Sequence, residues 1–186
     1  MITTLSLQDI KLRGMLKGIV TQHLAIILIG LGVFVFEYLE FANIFFEKLV
    51  LILLALGKSF YFVEHSFRKI EEASVKNLTY NKFLVVILTN ILLIVVSFAV
   101  DYSCLQKIDA RSFSGLSLDK SIGGVVFDLS YFSMLSFTSV AYGDIVPVSK
   151  AAKVLTLLEV GVAYITTIII ISNFVQIKES LERDGK

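Results

Sequence analysis

Few side chains in this sequence could make or break a covalent bond. The two histidines, His23 and His65, have no short-spaced ligand set around them. Cys104 is the single cysteine, so neither an intramolecular disulfide nor a thiolate metal cluster can form. The carboxylates are scattered, and no nucleophile–base pair is recognisable. Two features stand apart. Glu159 is a lone carboxylate inside the apolar run 155–176, and an ionisable group in such a run implies a function and a partner. The second feature is the stretch 127–147, where serines and a threonine lead into Tyr142, Gly143 and Asp144, and Pro147 marks a turn. Glycine lets a backbone visit left-handed conformations without steric penalty, and carbonyls aimed at one axis can replace the water shell of a small cation. That chemistry is coordination, not catalysis, and the chain is not read as an enzyme.

The elements that must position these residues are membrane-embedded. Of 186 residues, 56% are hydrophobic and 18% charged, whereas a soluble domain carries about 25% charge. A net charge of +1 suggests no nucleic-acid surface. A helix needs about 20 apolar residues to cross the hydrocarbon core. Residues 18–36 and 83–100 are free of charge, and 155–176 is interrupted only by Glu159. A weaker span, 41–63, carries Glu47, Lys48 and Lys58 near its ends, where long side chains are expected to snorkel to the interfaces. The shorter run 122–137 holds Asp128 and several serines and fits a re-entrant segment. The first span is not read as a signal peptide, because no small-x-small site follows it and its polar lead is long. With the N-terminus inside, eleven lysines and arginines face inward and six outward, as the positive-inside rule expects. The expected fold is an all-α membrane protein: four transmembrane helices plus the re-entrant segment. Its parts are a cytoplasmic segment 1–17, a two-helix hairpin 18–63, a cytoplasmic linker 64–82, a unit 83–176 of two spans around the re-entrant segment, and a tail 177–186. The unit 83–176 is the part that the resemblance below makes the pore domain. For the linker, an interfacial amphipathic helix and a solvated connector both stand as readings.

Residue by residue, Thr138, Val140, Tyr142, Gly143, Asp144 and Pro147 stand where the potassium channel family has the filter T-T-V-G-Y-G-D and a proline three residues on. The segment from Phe127 to Pro147 therefore resembles that family's pore helix and selectivity filter, and the resemblance extends over residues 83–174 but not over the first two spans. It implies that Ser139, Val140, Ala141, Tyr142 and Gly143 form the ion-binding filter, with K+ held at backbone carbonyls and the Ser139 hydroxyl adding an oxygen at the inner mouth. Thr138 and Asp144 would support the filter, and Tyr131 and Phe132 would brace it from behind. One filter per chain implies a four-fold homotetramer in the lipid bilayer, with permeant K+ and no other cofactor. The fourth span would line an inner cavity, with Val160, Tyr164, Thr167 and Ile171 on one helical face. Gly161 lies two positions before the family's hinge glycine, where this chain has Ala163. The residues Ser172 to Phe174 look like the end of the inner helix.

Three departures qualify these expectations. Ser139 replaces a threonine. Ala141 replaces the filter's first glycine, and a β-carbon in a left-handed conformation costs about 1–2 kcal/mol. Either that strain is tolerated or the carbonyl turns elsewhere, so a potassium-selective pore and a weakly selective cation pore both stand. The family often anchors its filter aspartate on a pore-helix glutamate, but the equivalent position is Leu135, leaving Asp144 as an incomplete pair or a solvated charge. For Glu159, a hydrogen bond with Ser133 or Ser136 and a protonated carboxyl both stand, in a structural or gating brace rather than a direct ion site. No span is arginine-rich, so strong voltage gating is not expected. Gating is left to the filter, the membrane or a separate regulatory subunit. A non-conducting accessory or transporter-like subunit is the other class, although transporter folds usually carry paired repeats. Low proline content and the absence of targeting signals suggest a bacterial inner membrane with both termini cytoplasmic.

Overall fold

A computed structural model of the chain describes residues 10, 12–14, 16–21, 43–75, 80–116 and 121–184, with backbone alone at 69–75, 80 and 174–184. The expected first span, 18–36, lies for the most part outside the described residues. From residue 43 onward the described chain is mainly helical: α1 (Ile44–Val75), α2 (Tyr80–Ile108), the short strand β1 (Phe113–Ser114), α3 (Ile122–Phe137), β2 (Val146–Pro147) and α4 (Lys150–Asp184). Among the described residues, two helices are long and apolar enough to cross a membrane, Asn81–Ile108 and Lys150–Asn173.

Helix α1 begins where the Asn43 side chain accepts from the Phe45 N–H at 3.2 Å and the Asn43 carbonyl takes the next amides, an Asx cap of the usual kind. Its 32 residues give a length of about 48 Å, well beyond the roughly 30 Å hydrocarbon core. The helix runs past Val63, so the described part of the expected linker, 64–75, continues it. Lys58 does not snorkel. Its side chain is 8% exposed and ion-paired with Asp101 of α2, because the helix carries it to the middle of a packed interface. Lys48, near the start of α1, pairs with Asp109 just beyond α2 at 2.6 Å. The Lys48 bond holds the Asp109 carboxyl below the usual carboxylate range.

The four helices meet in one core, built from Leu51, Ala55 and Phe62 of α1, Ile94 to Leu105 of α2, Leu129 and Phe132 of α3, and Leu155, Val162 and Ala163 of α4. Its centre is aromatic: Tyr102, Phe113 and Phe132 stand edge to face at 5.2–5.4 Å, a geometry that puts a ring edge on a ring face. Away from that core, Ile19 packs with Phe83, Val86, Ile87 and Ile169, which brings the N-terminal segment against α2 and α4.

Helix α4 is unbroken from Lys150 to Asp184. It does not end at Ser172 to Phe174, and it takes in most of the expected tail. At 35 residues it is about 52 Å long, so it outruns the apolar core in the same way as α1.

Candidate functional site

Helix α3 is aimed by its two caps. At the start, the Ser121 hydroxyl accepts from the Gly124 N–H at 3.1 Å. At the end, the Val140 N–H reaches back to the Leu135 carbonyl at 3.0 Å and the Ser139 N–H to the Ser136 carbonyl at 3.1 Å. That bond pair is a Schellman turn, which requires a left-handed residue after the helix. Ser139 fills that place at φ 58°, where glycine is the usual occupant.

The turn sets the hand of the strand after it. Positive φ recurs at Ser139 (58°), Ala141 (45°) and Gly143 (80°), and not at Val140 or Tyr142. When the hand alternates residue by residue, the amides line one edge of the strand and the carbonyls the other; this is the backbone logic that forms ion-binding concavities elsewhere. Ala141 therefore keeps the left-handed conformation despite its β-carbon. Each of the two non-glycine residues carries about 1–2 kcal/mol of strain. The strain at Ser139 was not expected from the sequence, although the even spacing of 139, 141 and 143 was its signal. In the single chain Thr138 to Asp144 are exposed, with Tyr142 at 73%.

The far end of this strand is tied down. Tyr131 of α3 donates its hydroxyl to the Asp144 carboxylate, and the bond holds that carboxyl below its usual range. Asp144 thus has an anchor, a tyrosine two turns along the helix from Thr138 in place of the glutamate that Leu135 cannot supply. The second oxygen contact of Asp144 is the Ile145 N–H at 3.0 Å. Behind Asp144 sits Gly115 at φ 85°, so close that an added β-carbon would lie 1.7 Å from the Asp144 carbonyl oxygen. The pairing of Phe113 with Pro147 and Ser114 with Val146, together with the Val148 N–H on the Ser112 carbonyl at 2.8 Å, fastens the loop after α2 to the segment that leaves the strand. Phe132 faces Tyr102 and Phe113, so it braces α3 against α2 and the loop.

Behind α3 lies a buried polar cluster to which every long helix contributes. Glu159 of α4 is fully buried. Tyr102 of α2 donates to its Oε2 at 2.5 Å, and Ser133 of α3 bonds its Oε1. Of the two expected serines, Ser133 is the partner, and its hydroxyl also lies 2.9 Å from the Val95 carbonyl. Next to them, Lys58 of α1 pairs with Asp101, bonds the carbonyl and hydroxyl of Ser97 at 2.9 and 3.0 Å and sits 4.4 Å from the centre of the Phe98 ring. Sequence reading missed Tyr102, Asp101 and the burial of Lys58. The available signal was two opposite charges, each inside or bordering an apolar run.

On α4, Gly161, Tyr164, Thr167 and Ile171 are exposed in the single chain and Val160 partly so, one stripe away from the core. The Thr167 hydroxyl is bonded to the Ala163 carbonyl at 2.8 Å. The helix passes through Gly161 without a break, and a β-carbon there would meet nothing within 4 Å.

A family model described as "Ion channel" matches residues 48–179, more than two thirds of the chain. The match takes in α1, which the filter motif alone had left outside the resemblance. Over 123 residues the chain is 31% identical to "Two-pore potassium channel 4" of Arabidopsis thaliana, covering 62% of this chain and 40% of that protein. The chain thus spans about two fifths of the length of that curated relative. No solved structure matches. The capped helix, the alternating strand with its tied outer end, and the family match across most of the chain agree: the protein belongs to the ion channel family, among its potassium-channel-like members.

Proposed function

We propose that this chain is a pore-forming subunit that conducts K+ passively across a membrane, through a homotetrameric filter built from Ser139, Val140, Ala141, Tyr142 and Gly143. The observation that carries this reading is the alternation of backbone hand at Ser139, Ala141 and Gly143, which sets successive carbonyls along one edge. An ion leaving water needs several such oxygens at once, and one strand per chain supplies too few. Four strands around an axis meet the need and would cover the exposed Val140 and Tyr142. The stripe of Tyr164, Thr167 and Ile171 on α4 would then line the inner cavity. Thr138 and Asp144 bound the filter at its two ends.

In this reading the chain crosses the bilayer four times with both termini cytoplasmic. Removing the buried Lys58 from the inward count leaves ten basic residues inside against six outside, and the orientation stands. The two added spans and the composition fit a bacterial inner membrane.

A second reading, a weakly selective cation pore, rests on the β-carbon that Ala141 brings to a glycine position. Its left-handed φ of 45° is the tolerated-strain branch and supports the selective pore over it. Purified protein in liposomes, with potassium on one side and sodium on the other, separates the two. A reversal potential close to the potassium equilibrium value supports the selective pore. A value near zero with clear current supports the weakly selective one, and no current under any gradient favours an accessory subunit.

A further inference from the structure

We propose that Glu159 is held as a neutral carboxylic acid, and that as a hydrogen-bond donor to Ser133 it positions the pore helix α3. The argument is a count of hydrogens. Ser133 Oγ is within bonding reach of the Val95 carbonyl at 2.9 Å and of Glu159 Oε1. A hydroxyl has one hydrogen to donate. If Glu159 is ionised, both neighbours of Ser133 are acceptors: its single hydrogen goes to one, and its oxygen meets the other at bonding distance with no hydrogen between them, although the Val95 carbonyl keeps its own bond within α2. If Glu159 carries the proton on Oε1, every contact is matched: Glu159 donates to Ser133, Ser133 donates to Val95, and Tyr102 donates to Glu159 Oε2.

Charge balance points the same way. The groups that bear on Glu159 are Lys58 from α1, Asp101 and Tyr102 from α2, and the Ser133 hydroxyl from α3. Lys58 is already matched by Asp101 and by two oxygens of Ser97. An ionised Glu159 would leave this buried cluster with one negative charge in excess, and an uncompensated buried charge is strongly disfavoured. A neutral Glu159 leaves it balanced.

The consequence is mechanical. Ser133 lies one turn before Phe137, the last residue of α3, and the Schellman turn that sets Ser139 left-handed is built on Leu135 and Ser136. A bond chain from α4 through Ser133 to the Val95 carbonyl of α2 clamps α3 at the turn immediately before that cap. Through α3, Glu159 fixes where the strand begins.

The positioning role rests on the filter reading above; the protonation state does not. The test is therefore spectroscopic first. Infrared spectra of the full-length protein in lipid vesicles at neutral pH, in light and heavy water, would be compared for wild type and Glu159→Gln. The expected result is a carboxylic-acid C=O band in wild type that shifts in heavy water and is missing from Glu159→Gln. Absence of the band, or its persistence in Glu159→Gln, overturns the proposal whether or not the protein conducts. Potassium flux supplies the second readout, because an amide keeps the size and the donor while lacking the proton's acidity. Flux of Glu159→Gln within about twofold of wild type, with Glu159→Ala losing tenfold or more, supports positioning by a neutral donor. Equal losses in both variants overturn it.

Discussion

The Tyr131 hydroxyl donates to the Asp144 carboxylate, joining a residue on α3 to the residue after Gly143. The strand from Thr138 to Gly143 is thereby held at both ends by one helix: covalently at Thr138, and through a hydrogen bond at Asp144. Together with the packing of Gly115 against the Asp144 carbonyl and the pairing of 113–114 with 146–147, this closure limits how far the far end of the strand can drift.

Replacing Tyr131 with phenylalanine removes the donor and little volume. The Asp144 carboxyl sits below its ordinary range chiefly because of Tyr131. A depressed carboxylate contributes stability above its unfolded pKa and loses it as pH falls through the lower folded value. In wild type the outer end of the strand should therefore survive acidification to below about pH 4, the ordinary range for an aspartate. Tyr131→Phe should lose flux at a higher pH, within that ordinary range. Identical acid profiles for the two proteins would show that the bond does not hold the strand.

Ala141→Gly should relieve about 1–2 kcal/mol of left-handed strain in each chain and sharpen the preference for potassium over sodium. Bi-ionic reversal potentials measure it directly. A potential unchanged by the substitution would mean that the methyl group does not shape the ion path.

Lys58→Met strands a buried Asp101 carboxylate and should destabilise the protein by about 3–5 kcal/mol, the usual result of removing one partner from a buried pair. Lys58→Met with Asp101→Asn should recover much of that loss. Thermal unfolding in detergent of the two single variants and the double variant gives the coupling; additive losses would mean that the pair is not a unit.

Gly115→Ala places a β-carbon 1.7 Å from the Asp144 carbonyl oxygen and asks alanine to hold φ 85°. The conformation alone costs on the order of 1–3 kcal/mol, and the clash forces Asp144 or the loop to move. The expected outcome is a lower unfolding temperature together with reduced flux. Gly161→Ala is the matched control: nothing lies within 4 Å of its added carbon in this chain, so unfolding of the separated chain should change little.

Several parts of this protein could be read without a structure because they depend on neighbours in the chain. The apolar runs 83–100 and 155–176 became α2 and α4, since hydropathy over a span is a local sum. The short run 122–137 became α3 with the same bounds, set by Ser121 as a cap at one end and the turn at Thr138 and Ser139 at the other. Ser133 as a partner for Glu159 was also within reach, because a carboxylate about one turn into the last apolar run, 155–176, lies level with the end of the preceding short helix.

Beyond those local patterns, the membrane character, the filter-like stretch and the oddity of Ala141 were legible in residue order, because composition, spacing and residue type are properties of the chain taken one residue after another. The tertiary structure alone decided which groups face one another: Lys58 with Asp101 rather than with an interface, Tyr102 with Glu159, Tyr131 with Asp144, and Gly115 beneath the Asp144 carbonyl. The physical reason is that burial makes an unmatched charge or hydroxyl costly, so these residues must find partners. Which partner each finds depends on the distance between helices, and that distance is set by the packing of aromatic rings such as Tyr102, Phe113 and Phe132, not by the order of residues along the chain.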